Sequence, residues 1–429
     1  MQRDDVSPNA VTFVCIMKAC GLTRAIIKGQ EIHAHISRHA LLQKNLVIGN
    51  SLVDMYAKWG LITKSREVFD KLSVRDVNSW NAMIPGYAKL EHGEHAMKCL
   101  EKMQHCDVVP DAVTYALSLK ACGSMGNAIK GKDIHSEIER RGPTVKNLVV
   151  STALVDMYAN CGWLIHAQEV FDDLLTRDLV SWNALITGYV DHECGREALN
   201  CLEKMHREKI SPNSVTYACC LKACGILRMS EKGCDLYAEI SRKGLPNSDN
   251  LLGFALVDMY AKCGLVMLAQ EVFDKLLVRD LVPWTALIMG YNDIGFGEEA
   301  LMCLEQMQLE GTFPDGVLLA CSLKACGSIG AAQQGKSLHT KFVETAFFEK
   351  DPVAGSALVD IYANCGLLKE AQMAFSCLVR RDLVLWNTLI AGYTKYERRK
   401  EVLNCVEEMR LEGIQPRCNH ITLQFESFF

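Results

Sequence analysis

The chain has 429 residues, is 49% hydrophobic and carries a formal net charge of −5. No stretch reaches the roughly 18–20 uncharged apolar residues of a membrane span, so no membrane partner is expected. The mild negative charge excludes a protein that coats nucleic acid by bulk attraction, although not one whose contacts are local.

Met1 falls in register with Met103, Met205, Met307 and Met409. Residues 1–9 therefore read as the end of a truncated unit, and no sorting signal is visible there. Beyond them one phrase recurs: SLVDMYAKWG at 51–60, ALVDMYANCG at 153–162, ALVDMYAKCG at 255–264 and ALVDIYANCG at 357–366, at intervals of 102 residues. Pro8, Pro110, Pro212, Pro314 and Pro416 keep that interval, as do Trp80, Trp182, Trp284 and Trp386. No linker interrupts the register, which makes the chain one array rather than several domains. Within each period, smaller units are offset by 31, 35 and 36 residues.

Each small unit reads as two short helices. In residues 179–213, Trp182, Leu185, Ile186 and Tyr189 share one helical face. A polar turn follows around His192–Gly195, then Ala198, Leu199, Leu202 and Met205 line a second face, with ISPN ending the unit. In the neighbouring type Gly162 supplies the turn. Such helices are marginal alone and must bury one another's apolar faces. Pro85 stands inside a first helix, where a mid-helix proline typically costs about 3 kcal/mol, so a kink or a weakened repeat is expected there.

The 20 cysteines follow the same register. Cys20, Cys122, Cys224 and Cys326 are one position; Cys99, Cys201, Cys303 and Cys405 a second; Cys161, Cys263 and Cys365 a third, whose remaining slot is Trp59. Recurrence of this kind reads as core packing in a compartment that does not rely on disulfides. A catalytic search yields little. His135–Ser136–Glu137 has the H-x-E spacing of zinc deaminases, but its counterparts begin at His33, Tyr237 and His339, and no P-C-x-x-C follows. No catalytic residue, metal or cofactor is expected, and the chain reads as a non-enzyme.

Units of 36, 31 and 35 residues carrying VTYALSLKACG, ALVDMYAKCG and WNALITGY in rotation resemble the pentatricopeptide repeat proteins, and within them the PLS subfamily. The resemblance implies an all-α, right-handed α-solenoid of helix–turn–helix motifs in L–S–P triplets. Twelve motifs then fill residues 10–417: L 10–45, S 46–76, P 77–111, L 112–147, S 148–178, P 179–213, L 214–249, S 250–280, P 281–315, L 316–351, S 352–382 and P 383–417. Residues 418–429 are a divergent tail in which the array stops.

The resemblance further implies single-stranded RNA as partner, read about one base per repeat by the fifth and last residues of each motif. The implied base-reading pairs are Asn50 with Asp76, Asn81 with Asp111, Thr152 with Asp178, Asn183 with Asn213, Thr285 with Asp315, and Ser356 with Asp382. By the family's code the first two favour U, the Thr and Ser pairs favour G, and the Asn–Asn pair favours C, then U. Phe254 with Asp280 and Asn387 with Arg417 depart from that code; Phe254 is expected to stack a base without choosing it. The L pairs Val14/Asn45, Ala116/Asn147, Ala218/Asp249 and Ala320/Asp351 read as spacers, since an apolar fifth residue cannot meet a base edge. The function implied is a specificity factor for cytidine-to-uridine editing in a mitochondrion or plastid, with a deaminase supplied in trans. Transcript stabilisation or processing, and a protein-binding solenoid, stay open.

Three plainer readings compete. The fifth-position asparagines suit helix N-caps. The repeated Arg–Asp pairs at 75–76, 177–178, 279–280 and 381–382 suit solvated ion pairs. Lys18, Lys120, Lys222 and Lys324 suit either phosphate contacts or a solvated face.

Overall fold

The computed structural model describes residues 9–39, 41–89, 93–142, 145–244, 250–331, 333–335, 337–338, 358–360, 362–364, 366–378, 381, 383–412 and 414. Ser356, Asp382, Arg417, Asp249, Asp351, Cys365, His339 and the tail 418–429 lie outside them. The chain divides into two compact units, Met1–Ala223 and Cys224–Phe429.

In the first unit the helices are α1 (Ala10–Thr23), α2 (Ile26–Arg38), α3 (Leu41–Lys44), α4 (Leu46–Lys58), α5 (Ile62–Asp70), α6 (Val77–Lys89), α7 (Gly93–His105), α8 (Ala112–Ser124), α9 (Ala128–Arg141), α10 (Leu148–Asn160), α11 (Leu164–Asp172), α12 (Leu179–Asp191) and α13 (Gly195–Arg207). The unit boundary falls inside α14 (Ser214–Ile226). The second unit continues with α15 (Ser230–Arg242), α16 (Asn250–Lys262), α17 (Val266–Asp274), α18 (Leu281–Asp293), α19 (Gly297–Leu309), α20 (Gly316–Ser328), α21 (Leu368–Cys377), α22 (Leu383–Lys395) and α23 (Arg399–Leu411). No strand occurs among the described residues. Each unit is a stack of helical hairpins in which first helices pack on first helices, as α8 on α10 and α10 on α12.

The periodic apolar residues form the core that the sequence pattern demands. Trp182, Leu185, Ile186 and Tyr189 of α12 and Ala198, Leu199, Leu202 and Met205 of α13 are all buried. The turn between α10 and α11 needs a left-handed residue, and Gly162 supplies it at φ 76°. One hairpin type has a second helix of only nine residues, as in α5, α11 and α17, which shortens that unit relative to its neighbours.

Close backbone approach sets the stacking distance between successive first helices. A Cβ built on Gly188 in α12 would stand 2.4 Å from Cβ of Ala159 in α10, and the equivalent distances are 2.8 Å for Gly290 to Ala261 and 2.6 Å for Gly392 to Ala363. The same joint carries an aromatic lock. Phe171 meets Trp182 edge to face at 4.6 Å, and Phe69–Trp80, Phe273–Trp284 and Phe375–Trp386 repeat this at 4.7, 4.4 and 4.5 Å. Arg177 lies over Phe171 at 5.1 Å, donates to the Asp172 carbonyl and pairs with Glu208 at 2.9 Å.

One expectation changes here. Arg75, Arg177 and Arg279 are not partnered with the aspartates that follow them. They and Arg381 fold back onto carbonyls at the preceding helix end, and Arg279 and Arg381 pair in addition with Glu310 and Glu412 at the end of the next unit's second helix. Pro85 does not break its helix: α6 spans the same 13 residues as α12. The cysteines at the first two positions are buried and free of disulfides, with burial pushing the Cys122 and Cys201 thiols up to about 12. At the third, Cys161 and Cys263 are only half-buried. Cys161 and Cys263 direct Sγ to the Cys122 and Cys224 carbonyls, and Trp59 fills the slot by donating Nε1 to the Cys20 carbonyl at 3.0 Å.

Gly188→Ala is expected to destabilise the chain by about 1–3 kcal/mol through overpacking, read as a lower urea midpoint. Adding Ala159→Gly, which empties the opposing position, should give a double variant less destabilised than the sum of the two single changes.

Candidate functional site

The last residue of each unit begins the next helix. Asp111 caps α8 by accepting the Thr114 amide at 2.8 Å, and Thr114 Oγ1 returns a hydrogen bond to the Asp111 carboxylate at 2.8 Å. Asp178 caps α12 through the Ser181 amide at 2.9 Å, and Asp315 caps α20 through the Leu318 amide at 2.8 Å. Asp76 and Asn213 accept the Ser79 and Thr216 amides in the same way. N-capping therefore belongs to the last residues. The fifth-position asparagines sit inside their helices, Asn50 in α4 and Asn183 in α12, and the capping reading of them is overturned.

Placing the cap at a helix start brings it against the fifth residue of its own unit. Asn50 Nδ2 donates to Asp76 Oδ1 at 3.0 Å, Asn81 Nδ2 to Asp111 Oδ1 at 3.2 Å, and Asn183 Nδ2 to Asn213 Oδ1 at 3.3 Å. A third group, absent from the sequence-based pairing, joins two of these sites. Ser79 Oγ donates to Asn50 Oδ1, and Thr216 Oγ1 to Asn183 Oδ1, each at 2.7 Å. Both ends of those amides are thus oriented, leaving one N–H and one lone pair for a ligand. Burial pushes the Asp76 carboxyl up, but hydrogen bonds from Ser79, Asn50 and Asn78 outweigh it and hold the group below its ordinary value. Asp111 is lowered likewise, its burial outweighed by hydrogen bonds from Thr114 and Asn81.

The threonine sites differ. Thr152 Oγ1 is buried without a hydrogen-bond partner among the described residues, and Thr285 Oγ1 donates to the Leu281 carbonyl at 2.8 Å. Neither is tied to its last residue. At Phe254 the whole arrangement changes, because Pro283 stands where Ser181 and Ser79 supply an amide and a hydroxyl. Lacking that N–H, α18 is capped by Asp280 through the Val282 amide instead, and Asp280 is exposed. In the spacer units, Asn45 and Asn147 cap α4 and α10 while Val14 and Ala116 offer no polar partner. Asn387 is exposed on α22, and its partner position lies outside the described residues.

A row of apolar side chains flanks these positions and was not anticipated. Three residues before the fifth, on the same helical face, stand Val47, Val113, Val149, Val180 and Val215 in the first unit and Leu251, Val282, Val317 and Val384 in the second. They are 40% to 66% exposed. Single exposed valines mean little, but recurrence at a fixed register in most units, with Asn78 the exception in 77–111, is a surface feature. The signal was present as the recurrent valine at the second residue of most units.

Elsewhere the geometry is structural. His135 Nδ1 contacts the Tyr158 hydroxyl at 3.0 Å, as His33 does Tyr56 at 2.8 Å, so the H-x-E histidine occupies a packing position. Among the described residues no group of His, Cys, Asp and Glu could hold a metal, and no helix is long and apolar enough to cross a membrane. Lys222 pairs with Asp191 at 3.0 Å, while Lys18, Lys120 and Lys324 are exposed.

A two-helix unit of about 35 residues, repeated by stacking, with a polar pair at fixed positions, defines a helical-repeat binding protein. Sequence profiles place it more narrowly. The PPR repeat profile matches residues 50–77, 149–179, 255–281, 282–312 and 384–414, and the related PPR repeat family profile matches 75–124 and 177–225. Together they span more than half of the chain, which belongs to the pentatricopeptide repeat family. It is 32% identical, over 95% of its length, to the mitochondrial pentatricopeptide repeat-containing protein At2g03380 of Arabidopsis thaliana, and 32% identical over 97% to the chloroplastic At1g11290 of the same plant. The chain spans 58% and 51% of those relatives. In fold it resembles the crystal structure of the pentatricopeptide repeat protein PPR10 from maize, with a TM-score of 0.62 at 17% identity over 97% of this chain and 66% of that one. PPR10 in complex with an 18-nucleotide psaJ RNA element gives 0.76 at 18% identity, over 97% and 61%.

Asp111→Ala is expected to cost about 1 kcal/mol through loss of the α8 cap, whereas Asp111→Asn, the choice made at Asn213, should retain most of it. The lowered Asp76 and Asp111 carboxyls contribute stability that is full above the unfolded value of about 4 and is lost as the pH falls through the folded values. Wild-type stability should therefore drop more steeply in acid than that of Asp76→Asn/Asp111→Asn, measured by urea unfolding across pH 2–6.

Proposed function

We propose that this chain is a sequence-specific single-stranded RNA-binding protein of the PLS subfamily, whose three hairpin types are the L, S and P motifs. The observation that carries the reading is the hydrogen-bonded contact between fifth and last side chains at Asn50–Asp76, Asn81–Asp111 and Asn183–Asn213, with an exposed valine three residues before Asn50 and Asn183. A base slotted between successive apolar side chains would present its Watson–Crick edge to the oriented pair. Ser356 with Asp382 and Asn387 with Arg417 belong to the same proposal.

With RNA running 5′ to 3′ along the chain, the preferred order is U, U, gap, G, C or U, gap, unread, G, gap, G. The unread position is the one at Phe254, Asp280 and Pro283, where an aromatic ring offers stacking without hydrogen-bond choice. The chain acts by binding rather than catalysis, in a mitochondrion or plastid as its relatives' names indicate. Its role is to position a transcript for cytidine-to-uridine editing by a deaminase supplied in trans.

Equilibrium binding to short RNAs tests this. Thr152→Asn should move preference at that position from G towards U or C by about 1–3 kcal/mol, by analogy with good base-edge contacts. Equal affinity for matched and scrambled RNA would sink the coded reading and favour a protein-binding solenoid. A second measurement probes the third group: Thr216→Val removes the hydroxyl that orients the Asn183 amide and contacts Asn213, and should reduce discrimination at the Asn183 position about threefold to tenfold, leaving the other positions unchanged.

A further inference from the structure

A cavity of about 270 Å³ opens between α5, α6 and α7, on the second-helix side of the hairpins and away from Asn50 and Asn81. Its floor is the aromatic joint of Phe69 and Trp80. Four cationic side chains line it: Arg66, Arg75, Lys98 and Lys102. The single carboxylate in the lining, Asp70, is shared between Arg66 and Arg75 at 3.7 Å from each, beyond hydrogen-bond reach. Lys98 and Lys102 have no carboxylate within 4.0 Å among the described residues.

The three later copies of this joint serve as internal controls. In each, a glutamate 31 residues after the arginine closes onto it: Glu208 on Arg177, Glu310 on Arg279 and Glu412 on Arg381, at 2.7–2.9 Å. In the first copy that glutamate is Cys106. His95 likewise replaces Glu197, Glu299 and Glu401, and Arg66 replaces a glutamine found in all three. Counting Cys106 with the lining positions, four cations face one carboxylate here. The equivalents are two against three in the second copy and one against three in the last two. The packing of the joint is kept while its charge is inverted, which packing alone does not require.

We propose that this cavity is a binding site for a phosphate monoester, independent of the base-reading row. Such a group carries nearly two negative charges and three acceptor oxygens. It matches the Arg66 guanidinium, the N–H groups of Arg75 not committed to the Phe69 and Asp70 carbonyls, and two ammonium groups better than a single carboxylate does, and it relieves the mutual repulsion of the four cations. The phosphate arrives either on a small molecule or at an RNA end.

The test uses the full chain. Inorganic phosphate is titrated at constant ionic strength, with its phosphorus resonance and the melting temperature as readouts and acetate as the control anion. Saturable broadening and a raised melting temperature are expected with phosphate, not with acetate. Cys106→Glu and Arg66→Gln, each the residue present in the other copies, should weaken the response at least tenfold. Their melting temperatures without phosphate should not fall, since each reduces the excess of cations, and their affinity for matched RNA should stay unchanged, so failure here leaves the base-reading proposal intact. Tighter binding of a 5′-mononucleotide than of its nucleoside, or of 5′-phosphorylated than of 5′-hydroxyl RNA, supports the site and identifies its source. An equal response to acetate, or from Cys106→Glu, overturns it.

Discussion

Where the fifth residue is Asn50, Asn81 or Asn183, the side-chain oxygen that caps the next first helix also lies against it, so one polar position serves two geometric ends. Capping requires an acceptor at a fixed place relative to the helix start. Stacking requires that helix to lie at a fixed distance from the preceding one. When both hold, the acceptor at Asp76, Asp111 or Asn213 cannot avoid Asn50, Asn81 or Asn183. Asp and Asn are interchangeable as caps but not as partners for a ligand. A carboxylate accepts only, while an amide also donates. Variation between them changes what the pair offers while the helix start is preserved.

The stacking distance depends on the joint between each short hairpin and the next. There a glycine of one first helix meets an alanine of its neighbour, and no larger pair fits. Around that contact, phenylalanine, tryptophan and arginine repeat the same arrangement, with edge-to-face ring contacts and a cation over the phenylalanine. The arginine also satisfies carbonyls at the end of the preceding helix. This makes it a C-terminal capping group, and explains why it turns away from the aspartate beside it in sequence. Adjacency in the chain placed the two charges at a helix end and a helix start, which face different partners.

Much of this organisation was legible because an uninterrupted period exposes core positions as recurrent letters. The helices of residues 179–213, their buried faces and the glycine turn at 162 follow from spacing alone. Three things were not legible. The hydroxyl of Ser79 or Thr216 belongs to the following unit, and only the fold brings it to the amide of the unit before. The exposed valines carry no polar signature, and an apolar residue in a helix reads as core until the packing is known. The unbroken α6 at Pro85 was not legible either, because a propensity penalty measured in isolated helices does not say whether neighbouring helices hold the segment.

The departures between copies are more informative than the agreements, since the joint and the site vary separately. At Phe254 and Pro283 the site loses its polar fifth residue and its third-position hydroxyl together, while the Phe273–Trp284 joint beside it is unchanged. At the first joint the reverse holds: Asn50, Asp76 and Ser79 form a complete polar triad, while the charges around Phe69 and Trp80 are inverted. A stack of this kind separates the two sites, because the fifth residues of the polar pairs lie on first helices while Arg66, Lys98 and Lys102 lie on second helices. Substitutions on the second-helix face therefore leave the geometry of the polar pairs alone, and a repeat can acquire a second ligand site without surrendering its place in the first.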